Sequence, residues 1–199
     1  YKDHVIFEKD EVLKDDGTPY TVYTPYSKKW KIKLNDFYLK AYPTERYLSA
    51  LLPFRNNDVP SLEALGFESV AFDYPSKTVS QGIITQYHLQ RDIPSVNGTS
   101  KLSLHFRFGT ISIREKVAKA RQLNEKFFNE LIWRDFYIQI MAHFPHAMER
   151  SFKPAYDKVE WENDEQKFKA WREGKTGYPI VDAGMRELNS TGYMHNRVR

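Results

Sequence analysis

From residue 124 to 144 the apolar side chains Phe127, Phe128, Leu131, Ile132, Phe136, Ile138 and Ile140 recur at helical spacing until Pro145 stops the run. A stripe of roughly five turns predicts one central helix and obliges the rest of the chain to cover it. The chain beyond residue 78 carries the signals of further helices. Thr99 or Ser100 would cap a helix running to Phe108 and closed by Gly109, and Ser112 stands three residues before Glu115 in a capping-box arrangement. Asp164 is placed to cap a helix through Phe168 and Trp171 to Gly174. Pro179 suits a first turn, with Ile180, Val181, Gly184, Met185 and Leu188 as the buried stripe and Gly192 as the stop. The larger part of the chain is therefore expected to be all-α.

The opening residues read differently. Val5-Ile6-Phe7, Glu11-Val12-Leu13, the turn former Asp15-Asp16-Gly17 and Tyr20-Thr21-Val22-Tyr23 predict a β-hairpin that stops at Pro25. Residues 27–40 set Lys28, Lys29, Lys31, Lys33 and Lys40 against Asp36 alone, which suits a solvated helix face or a phosphate contact. From 52 to 77 the turn formers Pro53, Asn56, Asn57, Pro60, Gly66 and Pro75 recur without a period, as in a linker crossing a surface.

Composition removes several classes. No stretch approaches the roughly 18 unbroken apolar residues of a membrane helix, and with no cysteine there are neither disulfides nor cysteine metal sites. The start lacks the basic and then apolar pattern of a secretory leader, so an intracellular, cytoplasmic protein is expected. Lys and Arg number 30 against 26 Asp and Glu, a charge of +4 that permits an anionic partner without demanding one. The 13 Phe, 13 Tyr and 4 Trp can stack on flat ligands as well as fill a core. Without a starting Met, and with residues 193–199 ending on no Gly, Pro or polar tail, the chain is expected to be part of a longer protein.

Two groupings could carry chemistry. Glu130, Trp133, Arg134 and Tyr137 share one helix face, where a carboxylate, an indole, a guanidinium and a phenol can recognise a flat heterocycle; an ordinary Glu130 to Arg134 pair with Trp133 in the core would look the same. Thr99, Ser100, Lys101 and Ser103 gather three hydroxyls and an ammonium beside Gly98, which suits a phosphate or simple helix capping. Asp182 and Arg186 repeat the i, i+4 spacing of a surface salt bridge, and Asn196, Arg197 and Arg199 crowd the end of the chain. His143 and His146 flank Pro145 without a metal-binding spacing, and no metal is expected. Neither a phosphate-binding glycine loop nor a Gly-x-Ser-x-Gly elbow is present.

The wording of the sequence goes further. Tyr87 with Gln90-Arg91-Asp92-Ile93-Pro94, Gly98-Thr99-Ser100-Lys101-Leu102-Ser103, the run from His105 to Ser112, Glu130-Leu131-Ile132-Trp133-Arg134-Asp135-Phe136-Tyr137, the run from Trp171 to Arg186 and Met194-His195-Asn196-Arg197-Val198-Arg199 resemble, in register, the photolyase/cryptochrome family, most closely its class I cyclobutane pyrimidine dimer photolyases. Gly17-Thr18-Pro19-Tyr20 and Tyr23-Thr24-Pro25-Tyr26 look like the end of that family's N-terminal α/β antenna domain. The resemblance implies a mainly α fold: residues 1–26 ending the antenna domain with a hairpin remnant, 27–77 as interdomain linker, and 78–199 as a truncated helical FAD-binding catalytic domain.

It also implies a reaction, in which light-excited reduced FAD passes an electron to a pyrimidine dimer flipped out of duplex DNA and recovers it after the dimer splits. Tyr87, Thr99, Ser100, Lys101, Leu102 and Ser103 would hold the flavin phosphates, with Phe127, Arg134, Asn196 and Arg199 completing the cofactor site. Glu130 would bond the dimer's bases, Trp133 would pack against it, Asn196 would lie near the reactive ring nitrogen and Arg197 by the lesion or its phosphate. Trp161 falls at the surface end of the family's tryptophan electron relay. An antenna pigment of folate or deazaflavin type is expected on the N-terminal domain, and further flavin contacts beyond Arg199. Lys101 stands where Arg is usual, Phe127 and Tyr193 where Trp is common, and Leu104 where Pro is frequent. Two rivals remain: a cryptochrome-type signalling protein without repair activity, and a non-catalytic helical nucleic-acid-binding module using the lysine stripe with Arg197 and Arg199.

Overall fold

The computed structural model describes residues 2–51, 59–71 and 73–199; the turn formers Pro53, Asn56 and Asn57 lie outside them. Among the described residues the helices are α1 (Tyr23–Lys33), α2 (Asp36–Leu39), α3 (Gln81–Thr85), α4 (Tyr87–Gln90), α5 (Ser103–Arg107), α6 (Ile113–Leu123), α7 (Glu125–His143), α8 (Glu165–Arg172) and α9 (Pro179–Thr191), with 3-10 turns at Thr44–Ala50, Pro145–Met148 and Pro154–Lys158. None of these helices is long and apolar enough to cross a membrane.

The long helix forms where the apolar spacing asks for it. Asn124 caps α7 by accepting the N–H groups of Lys126 and Phe127 at 3.0 and 3.1 Å. Ser112 caps α6 through the Glu115 N–H, Asp164 caps α8 through Gln166 and Lys167, and Gly192 ends α9 in the left-handed region (φ 68°). Phe127, Phe128, Leu131, Ile132 and Phe136 of α7 are buried in one core with Tyr26, Trp30, Val117 and Ala120. Trp30 is fully buried, edge-on to Phe7 at 5.2 Å and to Phe128 at 5.6 Å.

The expected hairpin is replaced by a single antiparallel bridge, Leu13 to Pro19, around Gly17. The backbone of residues 6–8 finds its partners on α7 instead of on a second strand. Asp135 accepts the Ile6 N–H, and the Gln139 amide donates to the carbonyls of Phe7 and Glu8. Residues 20–23 then lead directly into α1, where Pro25 sits in the first turn and interrupts no helix bond. Ile6, Phe7, Val12 and Tyr26 therefore belong to the same core as the helices downstream.

The lysine stripe is also folded in. Lys29 pairs with Asp15, Lys31 with Glu125, and Lys33 donates to the Glu11 carbonyl, so these three cations are already engaged within the chain. The exposed connection begins only after α2, and its far end is pinned where His105 bonds the Pro75 carbonyl at 2.7 Å and Thr110 at 2.8 Å.

Two further expectations change. The helix expected from Ser100 starts at Ser103, because Leu102 turns into the core and the chain passes through left-handed backbone at Lys101 (φ 51°). On α9 the buried side is Asp182, Gly184 and Met185, while Ile180 is 58% exposed.

Candidate functional site

Four segments meet at one cleft of about 260 Å³: α4 and the residues just after it (Tyr87, Arg91, Asp92), the loop 99–103, Glu130 on α7, and the tail after α9 (Tyr193, Met194, Asn196, Arg197, Arg199). The loop lies tight against α4 because residue 98 is glycine. A Cβ there would fall 2.4 Å from the Gln90 Cβ, so the close approach is to the chain itself rather than to a ligand.

Tyr87 backs edge-on against Phe127 (5.2 Å, 71°), and its hydroxyl is pushed up to about 12, first by burial and then by the Glu130 charge. Arg91 donates to Glu130 and, at 3.0 Å, to Asp92, which also accepts from Arg197 at 2.6 Å. Hydrogen bonds from Arg91 and then Arg197 hold the Asp92 carboxyl below its usual range. Across the cleft the Thr99 and Tyr193 hydroxyls meet at 3.0 Å, and the Lys101 ammonium stands 5.0 Å from the centre of the Tyr193 ring. Among the described residues no carboxylate pairs with Lys101 or Arg199, so both can meet an anion.

Tyr87, Thr99, Ser100, Lys101, Leu102, Ser103, Glu130, Asn196, Arg197 and Arg199, singled out from the sequence, thus line one cleft. The helix-terminus argument for the hydroxyls does not survive: α5 has only five residues and starts at Ser103, beyond Thr99 and Ser100, so their usefulness to an anion rests on the side chains.

Four candidates stand apart from the cleft. Phe127 is buried behind Tyr87 and lines none of it. Arg134 makes neither a cleft contact nor the expected pair with Glu130; its guanidinium donates to the carbonyls of His4 and Phe106 and lies 3.8 Å from Asp135. Trp133 stacks flat on Tyr23 (3.5 Å, 5°) and more loosely on Tyr137 (5.6 Å). Trp161 is 74% exposed beside Glu162, Asp164 and Phe168.

Sequence reading missed Arg91 and Asp92 as site residues, although their charges follow Tyr87 closely, because their partners lie on α7 and in the tail. It also misjudged Asp182, which makes no surface salt bridge with Arg186. Asp182 is buried and accepts from the Thr176 N–H and hydroxyl and from the Gly177 N–H, contacts that hold its carboxyl below the usual range. Arg186 donates to the Gly174 carbonyl instead, so both residues fasten the loop 174–178 to α9.

A second, more apolar cavity of about 360 Å³ adjoins the first. It shares Ser103, Tyr193, Met194 and Arg199 with it and adds Trp171, Val181, Met185 and Leu188. Among the described residues no group of three His, Asp or Glu is placed to hold a metal ion.

Comparison with known proteins puts this arrangement in context. Residues 127–199 match the family model of the FAD binding domain of DNA photolyase. The chain is 34% identical to the deoxyribodipyrimidine photo-lyase of Synechococcus sp., over 98% of this chain and 46% of the relative, and 34% identical to that of Escherichia coli K12, over 100% of this chain and 46% of the relative. Among solved structures it is similar to a bacterial class III photolyase from Agrobacterium tumefaciens, with TM-score 0.81 and 29% identity over 98% of this chain and 45% of that one. An archaeal photolyase from Sulfolobus tokodaii, solved with two FAD molecules, matches at TM-score 0.65 and 30% identity over 100% of this chain and 44% of that one. The chain spans less than half the length of these relatives.

Proposed function

The chain belongs to the photolyase/cryptochrome family, and from that premise we propose that it supplies part of the flavin site and the lesion-recognising wall of a light-driven DNA repair enzyme. The substrate is duplex DNA carrying a cyclobutane pyrimidine dimer. The observation that carries this reading is the meeting of a carboxylate, Glu130, with the Thr99, Ser100 and Ser103 hydroxyls and four cations in one cleft.

FAD fits the residues present. Ser100, Ser103, Lys101 and Arg199 are the donor set a pyrophosphate needs, and the adjoining apolar cavity offers faces for a flat ring. A cleft of about 260 Å³ is small for a dinucleotide, so these residues hold one part of it. When bound, reduced FAD supplies, on excitation, the electron that opens the dimer.

The chain's own residues hold and orient. Glu130 accepts N–H groups on the base edges, which no neutral apolar wall could satisfy. Arg91 beside it donates to the carboxylate and holds it in place. Trp133, one turn along α7 but stacked on Tyr23 outside the cleft, packs beside flipped bases only by leaving Tyr23, and Asn196 reaches the ring end of the cofactor. Arg197 takes a flanking phosphate. Trp161, open to solvent, suits the outer end of an electron relay that recharges the flavin. Because α1 is packed into the core, only the part of the expected linker 27–77 that follows α2 is kept as the proposed approach from an antenna domain that carries a folate or deazaflavin pigment.

The full-length protein tests the reading. It should purify yellow and restore a dimer-containing oligonucleotide only under blue or near-ultraviolet light. Repair in darkness, or none in light with flavin bound, would overturn it.

A further inference from the structure

The cleft's walls come from distant parts of the chain, with α4 and the loop 99–103 on one side and the tail 193–199 on the other. Asp92 joins them at the rim. A single oxygen, Oδ1, accepts from Arg91 Nε at 3.0 Å and from Arg197 Nε at 2.6 Å, with a terminal Arg197 nitrogen also at 2.6 Å. Because Arg91 also reaches Glu130, a line of alternating charges, Arg197, Asp92, Arg91 and Glu130, crosses the mouth of the cleft. Asp92 and Arg197 are each about half exposed (50% and 49%), where an ion pair adds little to stability. Fold stability is therefore a poor reason for two guanidiniums to share one oxygen. Without the carboxylate they would repel and part.

On the reading that this cleft takes damaged DNA, we propose that Asp92 is a positioning residue. It clasps the guanidiniums of Arg91 and Arg197 at one spacing across the mouth and so selects a backbone bent around an extruded nucleotide over an ordinary duplex. The distinction has a physical basis: binding to any duplex follows the number of cations offered, whereas recognition of a deformed one follows where they are held. The two effects give opposite signs when Asp92 is neutralised. Charge counting makes Asp92→Asn a tighter binder of every duplex; the clasp makes it a poorer judge of them.

The test uses full-length protein, wild type, Asp92→Asn and Asp92→Glu, with flavin loading measured for each. Equilibrium binding is followed over a salt series for one duplex with a single pyrimidine dimer and for the same duplex undamaged. In Asp92→Asn the preference for the dimer should fall about tenfold, the worth of one aligned charge-assisted contact. Affinity for the undamaged duplex should hold or rise with a steeper salt dependence, KM for repair should rise by more than kcat falls, and Asp92→Glu should recover part of the preference. If Asp92→Asn tightens both duplexes equally and keeps the preference, Asp92 is only a local charge and the clasp is wrong. A wild type without any preference for the dimer would overturn the reading of the cleft, and the clasp with it.

Discussion

The two sides of the cleft are held together by different forces. On the α7 side, Ile6, Phe7, Val12, Tyr26, Trp30, Val117, Phe128, Ile132 and Phe136 form a continuous apolar core. On the side of α8, α9 and the tail, the buried apolar residues among those described are Met185 and Met194, and polar contacts from Asp182, Arg186 and the Thr99–Tyr193 pair do the fastening. A buried aspartate marks each side. Asp135 takes the Trp30 and Ile6 N–H groups on one oxygen and leaves the other without a hydrogen bond, 3.8 Å from Arg134, and burial pushes its carboxyl up to about 6 despite those contacts. Asp182, on three donors, goes the other way. A packed wall opposite a wall held by hydrogen bonds suits a cleft that must keep one face fixed while the other adjusts to a bulky ligand.

The contrast breaks most directly at Trp30. Trp30→Ala empties a fully buried site and should cost about 3 to 5 kcal/mol, against about 2 for Met185→Ala in the thinner region. Chemical denaturation of the two variants decides; equal losses would mean the sides are not differently built.

The aspartates sharpen the contrast through pH. With its folded value raised from 3.8 to about 6, native Asp135 keeps a proton that the unfolded chain releases. Its contribution is therefore greatest below about pH 4 and is lost as pH rises towards 6, on the order of 3 kcal/mol in all. Asp182, with its value lowered, contributes above the ordinary carboxylate range and loses that contribution as pH falls through it. Asp135→Asn should flatten the fall in stability between pH 4 and 6 and leave the acid limb in place. A thermal unfolding series across pH reads both limbs, and an unchanged slope in Asp135→Asn would refute the assignment.

At the cleft itself Glu130→Ala, in the full-length protein, should lower repair per absorbed photon by the equivalent of about 1.5 to 3 kcal/mol, the worth of a charged hydrogen-bond partner. Flavin content should stay, because on the proposed reading the carboxylate, held by Arg91, bonds the lesion, and the hydroxyl loop holds the cofactor. A variant that loses flavin yet repairs normally per bound flavin would place Glu130 on the cofactor.

What could be read from the sequence follows the same division. Boundaries set by neighbours in the chain were legible: Ser112, Asp164 and Gly192 cap or stop their helices as their spacing suggests. The hairpin was misread because the backbone at Ile6 and Phe7 is satisfied from Asp135 and Gln139, far along the chain. Arg91 and Asp92 escaped notice for the same reason, since Arg197 lies 105 residues from Asp92 and no local pattern announces the pairing. The resemblance located the cleft residues but could not say which helix face each would take, as Arg134 and Trp133 show by turning to His4 and Tyr23.

The smallest expected effect tests whether the polar side behaves as a separate wall. Tyr193→Phe removes the hydroxyl that meets Thr99 while keeping the ring under Lys101, so packing is nearly unchanged and about 1 kcal/mol is lost. A loss of that size spread through the whole molecule would slow exchange nowhere and speed it everywhere. Confined to a wall that opens on its own, it should speed backbone hydrogen exchange in 193–199 severalfold while α7 keeps its protection, because α7 exchanges only when the core around Trp30 and Ile132 comes apart. Exchange measured residue by residue on wild type and variant separates the two, and a uniform acceleration through α7 would mean that both walls unfold as one unit.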